Sequence, residues 1–199
     1  MRDGRTPYFH NLRAMLLFMD DRARTFCQTI LEQEHAIITA APGSKHNHQA
    51  WPGGYVDHIT EVMNIAIELY KTLNALRPLS FTLSDALFVL FLHDIEKPFR
   101  FEFAEDGTIV EKEGIISRND KKFFRKGFFA RYGIELTPEQ ENAMTNVEGE
   151  IDRYSSTERV MNPLAAFCHL CDVSSARIWF DHPLAEGEKL LGSRRSKRN

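Results

Sequence analysis

Several features of exported and membrane proteins are missing from this sequence. Its 199 residues include only three cysteines, an odd number, which argues against a framework of disulfides. The first residues, Met1-Arg2-Asp3-Gly4-Arg5, contain no apolar segment of the kind found in signal peptides. No apolar run approaches the roughly 20 residues of a membrane-spanning helix. We therefore expect a protein without a membrane segment, in the reducing environment of the cytoplasm.

Positive charge is scarce outside the C-terminus. The formal net charge is -3, and the last eleven residues carry five positive charges and no acid, so that residues 1–188 have a net charge of -8. An acidic body argues against a broad nucleic-acid-binding face. At this length we predict one helical domain over residues 1–188 and a basic, disordered tail over residues 189–199.

Apolar residues at helical spacing are abundant. They predict helices over residues 12–38, 55–76, 82–94 and 117–132, and two more that begin near 137 and 162. Residues 99–112 instead alternate apolar and charged side chains around an Asp-Gly turn, which indicates a β-hairpin. The predicted class is all-α with a small β-hairpin insertion. This hairpin is either a wall or lid of a pocket or a plain insertion.

The most informative stretch runs from Phe88 to Lys97. Five apolar residues end in His93-Asp94, and Lys97 follows three residues later. One interpretation is an ordinary helix C-terminus. The other is a metal site, because a buried carboxylate beside a buried imidazole needs a partner and a divalent cation binds both.

Two further segments carry candidate ligands. His58 precedes the apolar stripe of the second helix by four residues, and Asp172 lies within the apolar pattern of the last helix. Taken alone, His58 is more typical of a hydrogen-bonded core residue. The loop before it reads His48-Gln49-Ala50-Trp51-Pro52-Gly53-Gly54 and brings another histidine close to the helix start.

The order His58, His93-Asp94, Asp172 resembles the HD-domain superfamily of metal-dependent phosphohydrolases. The loop before His58 is similar to the branch whose members carry a His-x-Ala-aromatic lead-in with two glycines, some of them exonucleases. The resemblance covers residues 46–182. It implies an HD-type helical bundle in which His58, His93, Asp94 and Asp172 bind a divalent metal ion.

The resemblance also implies a reaction. A bound Mn, Fe, Ni, Co, Zn or Mg ion activates water and polarises a phosphoryl group. Asp94 can also orient the attacking water, and Lys97 resembles a lysine that meets substrate phosphate. His48 and Glu148 are expected beside the open coordination positions. We therefore expect a phosphohydrolase that acts on a nucleotide or a short nucleic-acid end.

Two positions depart from the family pattern. Glu96 stands where many members have glycine, so this acid is expected to crowd or pair with Lys97. Residues 146–149 read Asn-Val-Glu-Gly where two-metal members often have His-His-Gly. We therefore expect one metal ion and no di-iron oxygenase. The alternative is a non-catalytic HD fold that binds a nucleotide or a partner protein.

The predicted helix over residues 117–132 is rich in basic side chains. Its cations belong either to a wall that meets phosphate or to a solvated helix face, and the second is commoner. Because the body is acidic, we predict that a mononucleotide or short oligonucleotide is preferred over a long duplex. The cations in question are Lys121, Lys122, Arg125 and Lys126.

Overall fold

The computed structural model describes residues 9–112, 114–115, 117–150 and 154–181. The basic tail predicted over residues 189–199 lies outside these ranges. The described chain is helical with one two-stranded sheet, so the predicted all-α class with a small hairpin is confirmed. Its elements are α1 (Leu12–Met15), a 3-10 turn (Leu16–Phe18), α2 (Asp21–Gln33), α3 (His35–Ala40), α4 (Gly54–Leu76), α5 (Leu83–Leu92), α6 (Lys97–Arg100), β1 (Phe101–Phe103), β2 (Ile109–Glu111), α7 (Arg118–Tyr132), α8 (Pro138–Asn146) and α9 (Pro163–Ile178).

The first predicted helix is divided into several pieces. The backbone is extended at Met19, and the carboxylate of Asp20 accepts a hydrogen bond from the Ala23 amide to start α2. A second break falls at Glu34. In a continuous helix the Ala23 amide would donate a hydrogen bond to a backbone carbonyl. At the start of a helix, the carboxylate of an N-cap aspartate accepts that hydrogen bond instead. Each piece still buries apolar residues in the common core, among them Met15, Leu16, Ile30 and Ile38.

Three later helices, α5, α8 and α9, begin at capping side chains. Thr82 and Asp85 form a reciprocal capping box at the start of α5. Thr137 caps α8 and Asn162 caps α9, each with proline at the first helical position. These residues satisfy amides at the helix N-termini that lack an intrahelical partner.

Helix α5 lies at the centre of the core. All its residues from Ala86 to Leu92 are buried, and it packs against α2, α4, α8 and α9. Burying each large apolar side chain contributes about 1.5–3 kcal/mol. The helix ends at Leu92, two residues before the predicted end at Asp94, so His93 and Asp94 follow it at the edge of this core.

The hairpin follows α6 directly. Phe101 pairs with Glu111 and Phe103 with Ile109 in an antiparallel register, and Gly107 has a φ of +79° in the turn. Arg100 donates to Glu111 across the base of the hairpin at 2.7 Å. Within the described ranges, no helix is both long and apolar enough to cross a membrane.

Candidate metal centre

Four side chains from three parts of the chain converge at one point. His58 comes from the second turn of α4, His93 and Asp94 from the end of α5, and Asp172 from the middle of α9. The Nε2 atom of His58 lies 3.1 Å from Asp172 Oδ1 and 3.4 Å from Asp94 Oδ2. The Nε2 atom of His93 lies 3.2 Å from Asp94 Oδ2 and 3.5 Å from Asp172 Oδ1.

The other nitrogen of each ring is already engaged. His93 Nδ1 lies 2.7 Å from the Leu90 carbonyl oxygen, which can only accept, so this nitrogen carries a proton. His58 Nδ1 lies 3.2 Å from the hydroxyl of Ser175. Both Nε2 atoms are buried and lack a hydrogen bond within the described part of the chain. Buried polar atoms in that state are unusual and call for an ion or another partner.

The spacing of the four groups suits a metal ion. First-row divalent ions bind such ligands at about 2.0–2.2 Å, so neighbouring ligand atoms stand about 3.0 Å apart in an octahedron and about 3.4 Å apart in a tetrahedron. The distances of 3.1–3.5 Å between the nitrogens and carboxylate oxygens fall in this range. His58, His93 and Asp172 can therefore offer one ligand atom each to a common divalent cation. Asp94 lies within 3.4 Å of both imidazole nitrogens, and mixed nitrogen and oxygen ligands accept several metals.

Without a metal ion, cationic and protonated side chains must balance the charge of the two carboxylates. Burial opposes protonation of His93, but Asp94 and Asp172 outweigh it and raise the pKa of His93 to about 10. Burial alone would raise the pKa of Asp94, yet Lys97 and His93 hold it well below its usual range. Burial would also raise the pKa of Asp172, but the two neighbouring imidazoles lower it. Both carboxylates are therefore ionised and attract a cation.

A buried polar network stands behind His58. The Ser175 hydroxyl donates to Glu61 Oε2 at 2.7 Å, and the Gln49 amide donates to the same oxygen at 3.1 Å. Because the Ser175 hydroxyl donates its proton to Glu61, its oxygen can accept a hydrogen bond from His58 Nδ1. The proton of the neutral His58 ring is then on Nδ1, and the lone pair of Nε2 faces the site. Burial raises the pKa of Glu61 to about 7, against the opposing hydrogen bond from Ser175.

Sequence reasoning missed this network, although a signal for it exists. Glu61 follows His58 by three residues on α4, and Ser175 follows Asp172 by three residues on α9. Residues at this spacing share one face of a helix. A polar residue three positions after each expected ligand, inside an apolar stripe, was the available signal.

The loop before α4 is folded tightly around Gln49. Gln49 is 1% exposed and has a φ of +44°, an uncommon conformation for a residue with a side chain. A Cβ atom on Gly54 would lie 1.9 Å from the Gln49 carbonyl oxygen, and Gly53 has a φ of +79°. The two glycines are therefore required for the close approach of loop and helix, which places Gln49 beside Glu61.

An open, polar pocket of about 340 Å³ adjoins the four converging side chains. Hairpin residues form part of its rim, so the structure supports a pocket wall over a plain insertion. The pocket is lined by Ser44, Lys45, Asn47, His48, Asp94, Lys97, Arg100, Phe101, Glu111, Lys121, Glu148 and Asp172.

Lys97 and His48 lie together at this pocket. Lys97 Nζ contacts Asp94 Oδ2 at 2.5 Å and lies 3.4 Å from His48 Nε2. His48 Nδ1 lies 2.6 Å from the side-chain oxygen of Gln49. Burial, Lys97 and His58 lower the pKa of His48 to about 3. At neutral pH His48 is therefore an uncharged hydrogen-bonding group that accepts from Lys97.

Glu96 does not pair with Lys97 as the sequence led us to expect. Its fully buried carboxylate accepts from Arg125 Nε at 3.0 Å, and Lys121 Nζ is 3.6 Å from its other oxygen. Glu96 turns away because the chain after Asp94 winds into a helical turn that places residues 96 and 97 on different sides. Lys97 therefore forms its ion pair with Asp94.

Glu148 reaches the pocket from the turn after α8. Its side chain is 42% exposed, and its Oε1 atom lies 3.5 Å from Lys121 Nζ. The structure thus brings together all the site residues expected from the sequence, with Glu148 at the pocket rim. Neither interpretation of α7 holds for the whole helix, since Lys121 and Arg125 turn inward whereas Lys122 and Lys126 are exposed.

Comparison of the chain with protein-family models, with curated proteins and with solved structures found no match. The interpretation of this site therefore depends on the residues and distances given above.

Proposed function

We propose that this protein is an HD-type, metal-dependent phosphohydrolase of the cytoplasm, with one divalent ion held by His58, His93, Asp94 and Asp172. The main support is the pair of buried Nε2 atoms, which lie 3.1–3.5 Å from two ionised carboxylates and make no hydrogen bond to any residue that the structure describes. An ordinary helix terminus or a satisfied core histidine gives no reason for such an arrangement.

A divalent ion held at this position would lower the pKa of bound water from about 16 toward about 7 and polarise a phosphoryl oxygen. Side chains around the ion then orient its ligands and bind the phosphate group. Lys97 holds the Asp94 carboxylate in place and, with Lys121, offers positive charge to phosphate oxygens in the pocket. His48 keeps Lys97 oriented, and Ser175 keeps the His58 ring turned toward the site.

The pocket favours a small phosphate ester. Its volume of about 340 Å³ is near the lower end of ligand pockets, which run from about 300 to 1,000 Å³. Two inward lysines, Lys97 and Lys121, suit one or two phosphate groups. The exposed cations of α7 are few and the body is acidic, so a nucleotide or a short nucleic-acid end is the substrate class we propose.

The test combines metal content with turnover. Purified protein is loaded in turn with Mn, Fe, Ni, Co, Zn and Mg and assayed on a generic aryl phosphate, a panel of nucleotides and short oligonucleotides. We expect metal-dependent phosphate release and about one metal equivalent per chain. His93→Ala and Asp94→Ala should lose both, whereas the exposed controls His35→Ala and Asp106→Ala should lose neither.

Two results would contradict the proposal in different ways. Unchanged metal content in both site variants means that these residues do not bind the ion. Metal and nucleotide binding without phosphate release from any ester, with every metal, favours instead the binding module without turnover.

A further inference from the structure

A second group of carboxylates lies beside the first site. Oxygens of Asp94, Glu96 and Glu148 lie within 4.8 Å of one another, whereas the corresponding group at the first site is His58, His93 and Asp172. Asp94 connects the two groups, since its Oδ2 atom lies 3.2 Å from His93 Nε2 and 3.4 Å from His58 Nε2. Glu96 is fully buried, and its Oε1 atom has no hydrogen-bond partner among the residues that the structure describes. A buried carboxylate oxygen in that state strongly favours a nearby positive charge.

Lys121 provides that charge. From the first turn of α7 its ammonium reaches to 3.6 Å from Glu96 Oε1 and 3.5 Å from Glu148 Oε1. Both distances exceed the roughly 2.7–3.2 Å of a good hydrogen bond. The ammonium is therefore placed between the carboxylates as a loosely held point charge. Arg125 does not take this position, because it binds the other oxygen of Glu96.

All the ligands around this point are oxygens. Carboxylate oxygens are the ligands preferred by hard cations such as Mg²⁺ and Mn²⁺. Oxygens on opposite sides of such an ion lie about 4.2 Å apart, so the group must contract by less than 1 Å. Glu148 is 42% exposed and can make this movement.

We propose that Lys121 acts as a tethered cation in a latent second metal site formed by Asp94, Glu96 and Glu148. An ammonium at this position repels a divalent ion and occupies its place. The native protein therefore holds one divalent ion at the first site and the Lys121 ammonium at the second. When the lysine is removed, the same carboxylates bind a hard divalent cation. This inference adopts the metal centre of the proposed function but does not require turnover.

The experiment counts Mn²⁺ ions in native protein and in Lys121→Met, which keeps most of the side-chain length. The matched control is Lys122→Met, at an exposed lysine of the same helix. Equilibrium dialysis with elemental analysis gives the stoichiometry, and electron paramagnetic resonance reports whether two ions are close. We expect one additional equivalent in Lys121→Met alone, with a spin-coupled signal between neighbouring ions.

The added ion should disappear again in the double variant Lys121→Met/Glu96→Gln. Equal stoichiometry in native protein and Lys121→Met overturns the inference, as does an added ion without spin coupling. If Lys121→Met does not fold, as judged by circular dichroism, Lys121→Gln takes its place. The absolute metal content of native protein tests the proposed function, whereas the difference between variant and native protein tests only this inference.

Discussion

Replacing Arg125 with methionine tests how the turn that carries His93 and Asp94 is held in place. Arg125 donates to Glu96 Oε2 at 3.0 Å, to the Met144 carbonyl at 3.4 Å and, by a short contact, to the His93 carbonyl. One side chain of α7 thus ties the turn after α5 to the end of α8. The variant removes all three bonds and leaves the Glu96 carboxylate buried.

The expected cost follows from the burial of the two partners. Removing one member of a buried ion pair costs about 3–5 kcal/mol, because the other charge remains without compensation. Glu96 is fully buried, whereas the Arg125 side chain is 18% exposed. We therefore expect Arg125→Met to lower the free energy of unfolding by about 3 kcal/mol, the lower end of that range. Glu96→Gln should cost less, about 1–2 kcal/mol, because the charge left behind still reaches water.

Urea unfolding followed by circular dichroism, in chelator, measures these changes without a metal contribution. The double variant Glu96→Gln/Arg125→Met should be no less stable than Arg125→Met alone, since neither charge of the pair remains. The exposed neighbour Lys126→Met is the control and should change stability by less than about 0.5 kcal/mol. A loss below about 1 kcal/mol in Arg125→Met, or strictly additive effects in the double variant, would refute this reasoning.

Two further predictions concern the site's neighbours. The pKa of Glu61 is about 7 in the folded protein against an ordinary value of 4.5, so folded chains keep a proton that unfolded chains release between these pH values. This difference should lower stability by up to about 3 kcal/mol as pH rises through the window, so chelated native protein should lose that much more stability than Glu61→Gln between pH 5 and 8. Parallel pH profiles for the two proteins would contradict the assignment. Lys97→Met should keep its metal but lower kcat/KM about 100-fold, since one positive donor to phosphate is lost; loss of metal together with activity would show that Lys97 supports the metal site instead.

Much of the local structure was predictable because it depends on neighbours in sequence. The starts of α5, α8 and α9 follow from capping residues and prolines, and the hairpin from its alternation and its Asp-Gly turn. The break at Met19 was not predictable from periodicity, because the apolar spacing runs through it. Only the cap at Asp20, which also accepts from Ser84 sixty-four residues away, reveals why the helix restarts.

The candidate site was predictable as a set of residues but not as a network. Histidine and aspartate on apolar helices stand out in a sequence, since such groups are rarely buried without a partner. The partners of Glu96 were not predictable, because Arg125 and Lys121 approach from a helix more than twenty residues away. Gln49 was equally hidden, since its role depends on a loop conformation that only the neighbouring glycines allow.

The positions of the ligands along the chain also determine when the site can exist. Asp172 lies on α9, and the Ser175 that orients His58 follows it on the same helix. During synthesis, His58, His93 and Asp94 leave the ribosome long before these two residues do. A growing chain therefore carries an incomplete ligand set, and the complete site forms only when α9 packs against α4. If the proposed function is correct, metal is supplied to the finished protein through the open pocket, and an interrupted chain that lacks α9 cannot retain it.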